Sequence, residues 1–284
     1  MDASDGAWDE PIPPIEGFMF DVDGALVLGD RAGRGYDVLP GAREVLGALT
    51  DRKVPFVLLT NGTAQKPAEQ AAKLRGYGLP VEDWQMLTPS SVAADYLTRR
   101  GAKRVLVLGS PGVGYALSEA GLEVLFTGDE GAERVDAVYV GWHPDCGMKD
   151  IEAASKAIWA GAELTVASDV PFFATRGGRS IGYSHAIVAA IRSLAPVKKV
   201  IVGKPSLIAL KFVARRLGVP MRRIAVVGDD PKLETRMARR GGAVGFGVAT
   251  GLTDLAGWAA QPPAQRPHRA LSDVGDLLKL GLIP

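Results

Sequence analysis

Gly17-Phe18-Met19-Phe20-Asp21-Val22-Asp23-Gly24 is a short apolar run that ends abruptly in two acids and a glycine. Four apolar residues followed by charge predict a buried strand whose C-terminal end carries the chemistry. Residues i and i+2 of an extended segment point the same way, so Asp21 and Asp23 share one side. Two such carboxylates repel unless a cation or a shared proton offsets them. In a functional site Asp21 would serve as a nucleophile and Asp23 as an acid/base. Taken alone, the pair is equally well a solvated acidic turn closed by Gly24.

Outward from this stretch, strand and helix signals alternate. Pro40–Leu49 carries Val45, Leu46 and Leu49 at helical spacing, and Val54–Leu59 is an apolar strand ending at Thr60-Asn61-Gly62. Thr88-Pro89 predicts an N-cap with proline at the first helical position. Further strands are expected at Val105–Leu108, Ala137–Val140, Leu164–Ala167, Val200–Val202, Ile224–Val227 and Ala243–Val248, with helices between them. The alternation predicts an α/β protein with a mostly parallel sheet.

Two further strand ends carry polar groups. Val227-Gly228-Asp229-Asp230 repeats the pattern of an apolar strand closed by paired acids. Mg²⁺ takes oxygen ligands and usually only one or two carboxylates, which Asp21 and Asp229 can supply. Asp230 is either a further ligand or the N-cap of the helix that Pro231 begins. Thr60-Asn61 and Gly203-Lys204-Pro205 offer a hydroxyl, backbone N–H groups and an ammonium, the donors that a phosphate needs. As isolated features they are a turn and a surface lysine.

These segments, in this order, resemble the haloacid dehalogenase superfamily of phosphohydrolases. Asp21-x-Asp23-Gly24 matches its first motif, Thr60-Asn61 the second, Lys204 the third and Asp229-Asp230 the fourth. The long stretch between Asn61 and Lys204, with Leu39-Pro40-Gly41-Ala42 and Gly161-Ala162-Glu163-Leu164, resembles the class IIA branch. That branch contains the NagD-like, p-nitrophenyl-phosphatase and phosphoglycolate-phosphatase relatives. The resemblance implies a Rossmann-like core at 16–87 and 197–284 and an α/β cap at 88–196, while the acidic, proline-containing residues 1–15 read as a flexible tail. It implies an Mg²⁺-dependent phosphatase that hydrolyses a small phosphate monoester through an aspartyl-phosphate. Asp21 and Asp23 would be catalytic. Thr60, Asn61 and Lys204 would bind phosphate, and Asp21, Asp23, Asp229 and Asp230 would form the metal site. A homodimer through the cap is a further expectation.

The sequence departs from the family pattern in places. Glu234 stands where the fourth motif often has aspartate, keeping the charge on a longer stem. The cap loop carries Ala167-Ser168-Asp169 and Ile181-Gly182-Tyr183-Ser184-His185, so Tyr183, His185 and Arg176 are the candidate specificity residues. A dehalogenase needs no second acid two residues after its nucleophile, so Asp23 and Asp229 argue against one. A catalytically idle binding protein is the remaining alternative. Gly109–Gly114 is too weak a glycine pattern for a dinucleotide loop and predicts a structural turn.

Composition narrows the partners. Among 284 residues, 33 Lys and Arg balance 32 Asp and Glu, which leaves no basic excess for nucleic acid. Cys146 is the only cysteine, so no internal disulfide exists and a reducing compartment is expected. The N-terminus lacks a basic, apolar leader and no run approaches a membrane span, so the cytoplasm is the expected location. The expected partner is a small phosphorylated metabolite.

Overall fold

The computed structural model describes residues 10–29, 35–175 and 178–283. Along the chain come β1 (Gly17–Phe20), the short strands β2 (Val27–Gly29) and β3 (Tyr36–Val38), α1 (Ala42–Asp51) and β4 (Phe56–Leu59). Then follow α2 (Pro67–Gly76), β5 (Met86–Leu87), α3 (Pro89–Arg99), β6 (Arg104–Leu108), α4 (Pro111–Glu119) and β7 (Glu123–Leu125). Next are β8 (Ala137–Val140), α5 (Met148–Trp159), β9 (Glu163–Val166), β10 (Phe172–Thr175), β11 (Gly178–Ile181), α6 (Tyr183–Leu194) and β12 (Lys199–Ile201). The last third holds α7 (Leu207–Leu217), β13 (Ile224–Gly228), α8 (Arg236–Gly241), β14 (Val244–Val248), α9 (Leu255–Ala259), β15 (Arg269–Leu271) and α10 (Asp276–Lys279).

The chain divides into two compact units, the first being Met1–Thr60, Ala71–Met86 and Leu210–Pro284, the second Asn61–Gln70 and Leu87–Ala209. The first is built on a six-stranded sheet in the order β15-β14-β13-β1-β4-β5. β1 pairs in parallel with both β13 and β4. Phe18, Met19 and Phe20 are fully buried, as a strand covered on both faces requires. α1 buries Ala42, Val45, Leu46 and Leu49, the face its spacing predicts. Truncating one such leucine to alanine costs about 2–5 kcal/mol.

The second unit has its own parallel sheet, ordered β12-β9-β8-β6-β7. β12 pairs with β9, so these ladder bonds carry the second unit past residue 196, and residues 61–70 join it as well. Thr88 caps α3 by accepting the Ser91 N–H, with Pro89 at the first position, as its sequence predicts. Gly109 and Ser110 form the turn from β6 into α4, and Gly112 and Gly114 already lie in α4. The pairs β2–β3 and β10–β11 are antiparallel hairpins. Among the described residues no helix is long and apolar enough to cross a membrane.

Candidate active site

Sheet order places the site in the first unit. From β1 the chain moves to β4 and β5 on one side and to β13, β14 and β15 on the other. The crevice at the carboxyl ends of strands flanking such a reversal is where open α/β sheets bind ligands. Asp21 follows β1 and Asp229 follows β13, so the topology brings the two acids side by side. Asp21 is fixed from both directions: its N–H donates to the Val227 carbonyl at 2.8 Å, and its Oδ1 accepts the Val22 N–H at 2.7 Å.

Asp229 is 4% exposed, and its Oδ2 accepts the Leu252 N–H at 2.8 Å from the turn after β14. Gly24 has φ +85°, and a Cβ there would lie 2.3 Å from Asp229 Oδ2. The glycine of the first acidic segment therefore supplies both a left-handed turn and the clearance for Asp229. Its carbonyl accepts the Thr250 hydroxyl at 2.6 Å, tying the two turns together.

Glu234 completes the group. After Asp230 the chain makes one π-helical turn, Pro231–Thr235, before α8. Such turns are rare and recur at functional sites. Glu234 is fully buried, and one oxygen each from Asp21, Asp229 and Glu234 lies within 4.8 Å of the others. At that range each ionised pair repels by roughly 3 kcal/mol at an effective dielectric constant of about 20. Three buried, hard oxygen donors in this arrangement fit a magnesium-class cation, which offsets the repulsion.

Asp230 stands apart from the cluster. Its Oδ1 accepts the Lys232 N–H at 2.7 Å and caps the turn that Pro231 opens. Asp23 is exposed and lies beside the β2–β3 hairpin: a Cβ on Gly29 would be 3.3 Å from its Oδ1. Thr60 is buried at the end of β4, next to β1.

The second unit holds the remaining predicted residues. Asn61 donates from Nδ2 to the Lys204 carbonyl at 3.1 Å and accepts the Lys204 N–H on Oδ1 at 2.9 Å. Its carboxamide therefore clasps the Lys204 backbone. Lys204 is 1% exposed, a burial that lysine tolerates only when paired.

His185 Nδ1 lies 2.9 Å from Asp169 Oδ1 and 3.1 Å from the Asp169 carbonyl. Both partners only accept, so Nδ1 carries the proton. Lys199 also donates to Asp169. Burial works to raise the Asp169 carboxyl, but the hydrogen bonds from Lys199 and His185 outweigh it and hold the group below its ordinary range. The Tyr183 ring meets Trp142 edge-on, with centroids 6.1 Å apart. Arg176 lies outside the described residues.

The Thr250-Gly251-Leu252 turn, which holds Gly24 and Asp229, is not evident from the sequence. Its only signal was a polar, glycine-bearing segment just past the predicted strand at 243–248.

A family model for haloacid dehalogenase-like hydrolases matches residues 18–123, and a HAD-hydrolase-like model matches 201–277. The chain is a haloacid dehalogenase-like hydrolase. The hydrolase is 25% identical to the 5′-nucleotidase YutF of Bacillus subtilis over 240 residues, 84% of this chain and 88% of that one. Its fold matches a 4-nitrophenylphosphatase from Thermotoga maritima with TM-score 0.82 and 25% identity, covering 93% and 97% of the two chains. It also matches a glycerol phosphate phosphatase from Mycobacterium tuberculosis, solved with magnesium, at TM-score 0.77 and 25% identity over 91% and 75%. The inserted α/β unit and the motif order group the hydrolase with the class IIA branch.

Proposed function

We propose that this hydrolase removes phosphate from small monoesters, with Mg²⁺ as cofactor and an aspartyl-phosphate on Asp21 as intermediate. The buried Asp21–Asp229–Glu234 cluster at the reversal point of the sheet carries the proposal. Its three relatives add support, because they are a nucleotidase, a nitrophenylphosphatase and a glycerol phosphate phosphatase. A carbon–halogen hydrolase has no use for this concentration of buried carboxylate.

Asp21, Asp229 and Glu234 would hold the cation, which when bound neutralises charge on the phosphoryl oxygens. An Asp21 carboxylate oxygen attacks phosphorus and the bond to the leaving oxygen breaks. Asp23 donates its proton to that oxygen, then takes one from water. The resulting hydroxide attacks the aspartyl-phosphate, releasing phosphate and restoring the Asp21 carboxylate. Thr60 and Lys204, matching the second and third motifs, are assigned to the phosphoryl oxygens, with the Asn61 clasp fixing the Lys204 backbone. The specificity residues proposed in the second unit are Tyr183, His185 and Arg176.

The test is p-nitrophenyl phosphate turnover by wild type and Asp21→Asn, with Mg²⁺ and with EDTA. Wild type is expected to release p-nitrophenolate only with Mg²⁺, and the variant to be at least about hundredfold slower. Equal rates in folded wild type and variant would overturn the nucleophile assignment. A panel of nucleoside monophosphates, glycerol phosphate and sugar phosphates then identifies the leaving-group class.

A further inference from the structure

The loop from β8 into α5 gathers three donors that phosphate chemistry leaves unused. It runs Gly141-Trp142-His143-Pro144-Asp145-Cys146-Gly147. It leaves the carboxyl edge of the second unit's sheet at β8. There the order reverses, since β6 has β7 on one side and β8 on the other. That is the ligand-binding edge of this second α/β sheet.

The Cys146 N–H donates to the His143 carbonyl at 3.3 Å, closing a turn between the two residues. Asp150 sits in the first turn of α5, where its Oδ2 accepts the Gly147 N–H at 2.8 Å. The same oxygen lies 3.5 Å from His143 Nε2. One donor atom each from His143, Cys146 and Asp150 falls within 4.8 Å of the others, and all three residues are partly buried.

We propose that His143, Cys146 and Asp150 form a binding site for one zinc-class divalent cation, separate from the carboxylate cluster of the first unit. Helix capping accounts for Asp150 but for neither His143 nor Cys146. Two bonds of about 2.1 Å at a tetrahedral angle place adjacent donors roughly 3.4 Å apart, close to the His143–Asp150 separation. Imidazole and thiolate select zinc or cobalt over magnesium, whose preference is for oxygen. Three protein ligands leave the fourth position of the tetrahedron to water.

Other uses of Cys146 fit less well. It has no second cysteine for a disulfide. Burial, and then the Asp150 charge, push its thiol up to about 11, the opposite of an activated nucleophile. Cation binding replaces the S–H bond by a sulfur–metal bond and releases one proton to solvent.

The experiment uses the full chain, stripped with chelator and returned to buffer with excess Mg²⁺ so that the carboxylate cluster is filled. Co²⁺ is titrated while thiolate-to-cobalt charge-transfer absorption is followed. Wild type is expected to develop the band to one equivalent and to lose it when Zn²⁺ is added. Cys146→Ser is expected to show no band, and His143→Gln to need at least about tenfold more Co²⁺, with circular dichroism confirming folding. In wild type, Zn²⁺ should also slow labelling of Cys146 by a disulfide reagent about tenfold, an outcome independent of any variant. A wild-type protein with no charge-transfer band, a band unchanged in His143→Gln, or labelling indifferent to Zn²⁺ would each overturn the proposal and leave the group as a helix cap beside a partly buried thiol.

Discussion

Gly228 makes room for Glu234: a Cβ at position 228 would lie 2.2 Å from Glu234 Cγ. The last residue of β13 thus lacks a side chain where the third carboxylate of the cluster crosses it. Gly228→Ala is expected to push Glu234 aside at about 1–3 kcal/mol, the usual cost of overpacking. Urea denaturation of the variant checks this, and an unchanged midpoint would show that the glutamate can move freely.

Glu234 itself is expected to set the Mg²⁺ requirement. Glu234→Gln keeps the shape and removes the charge. About 10–100-fold more Mg²⁺ should then be needed for half-maximal phosphatase rate, the range for groups that support a metal. If Glu234 only fills space, the Mg²⁺ titration of the variant will overlay that of wild type.

Asp23 as general acid predicts a dependence on the leaving group. Asp23→Asn should slow hydrolysis of glycerol phosphate by about 10²–10⁴-fold. It should slow p-nitrophenyl phosphate much less, because nitrophenolate leaves without a proton. Equal losses on both substrates would argue that Asp23 does something other than protonate the leaving oxygen.

The Asn61 clasp predicts a stability cost inside the second unit. Asn61→Ala removes both bonds to the Lys204 backbone and leaves a buried N–H and C=O to find new partners, at about 1–3 kcal/mol. Asn61→Asp should restore only the bond to the Lys204 N–H. Thermal unfolding of the two variants ranks them.

Asp169 predicts a pH dependence. Lys199 and His185 depress its carboxyl in the folded protein. Its stabilisation is therefore present above the ordinary carboxylate value of about 4. It is lost as pH falls from there through the lower folded value. The stability difference between wild type and Asp169→Asn should be constant near neutrality and shrink only in acid. A difference that instead changes near neutrality would overturn the assignment of this stabilisation to the Asp169 carboxyl.

The class of fold and the main acids were legible because both depend on local pattern. Apolar runs of strand length, helical spacing such as Val45, Leu46 and Leu49, and acids just past strand ends are all visible in one dimension. So was the capping tendency of Asp230 before Pro231. The strand at Arg269–Leu271 and the hairpin at Val27–Val38 were not, since both are short and owe their strand character to pairing partners.

Pattern along the chain is enough for an α/β fold with Asp21, Asp23, Thr60, Lys204 and Asp229 at strand or loop ends, and the family resemblance adds the insertion. Tertiary structure alone decided which carboxylates meet. Strand order brought Asp21 beside Asp229. One π-helical turn and a missing Cβ at Gly228 brought in Glu234, while Asp230 caps that turn. The reason is physical. Propensity and periodicity report on neighbours along the chain, whereas a cluster of buried charges forms from residues far apart in sequence, and it depends on ångström-scale clearances that no spacing rule contains.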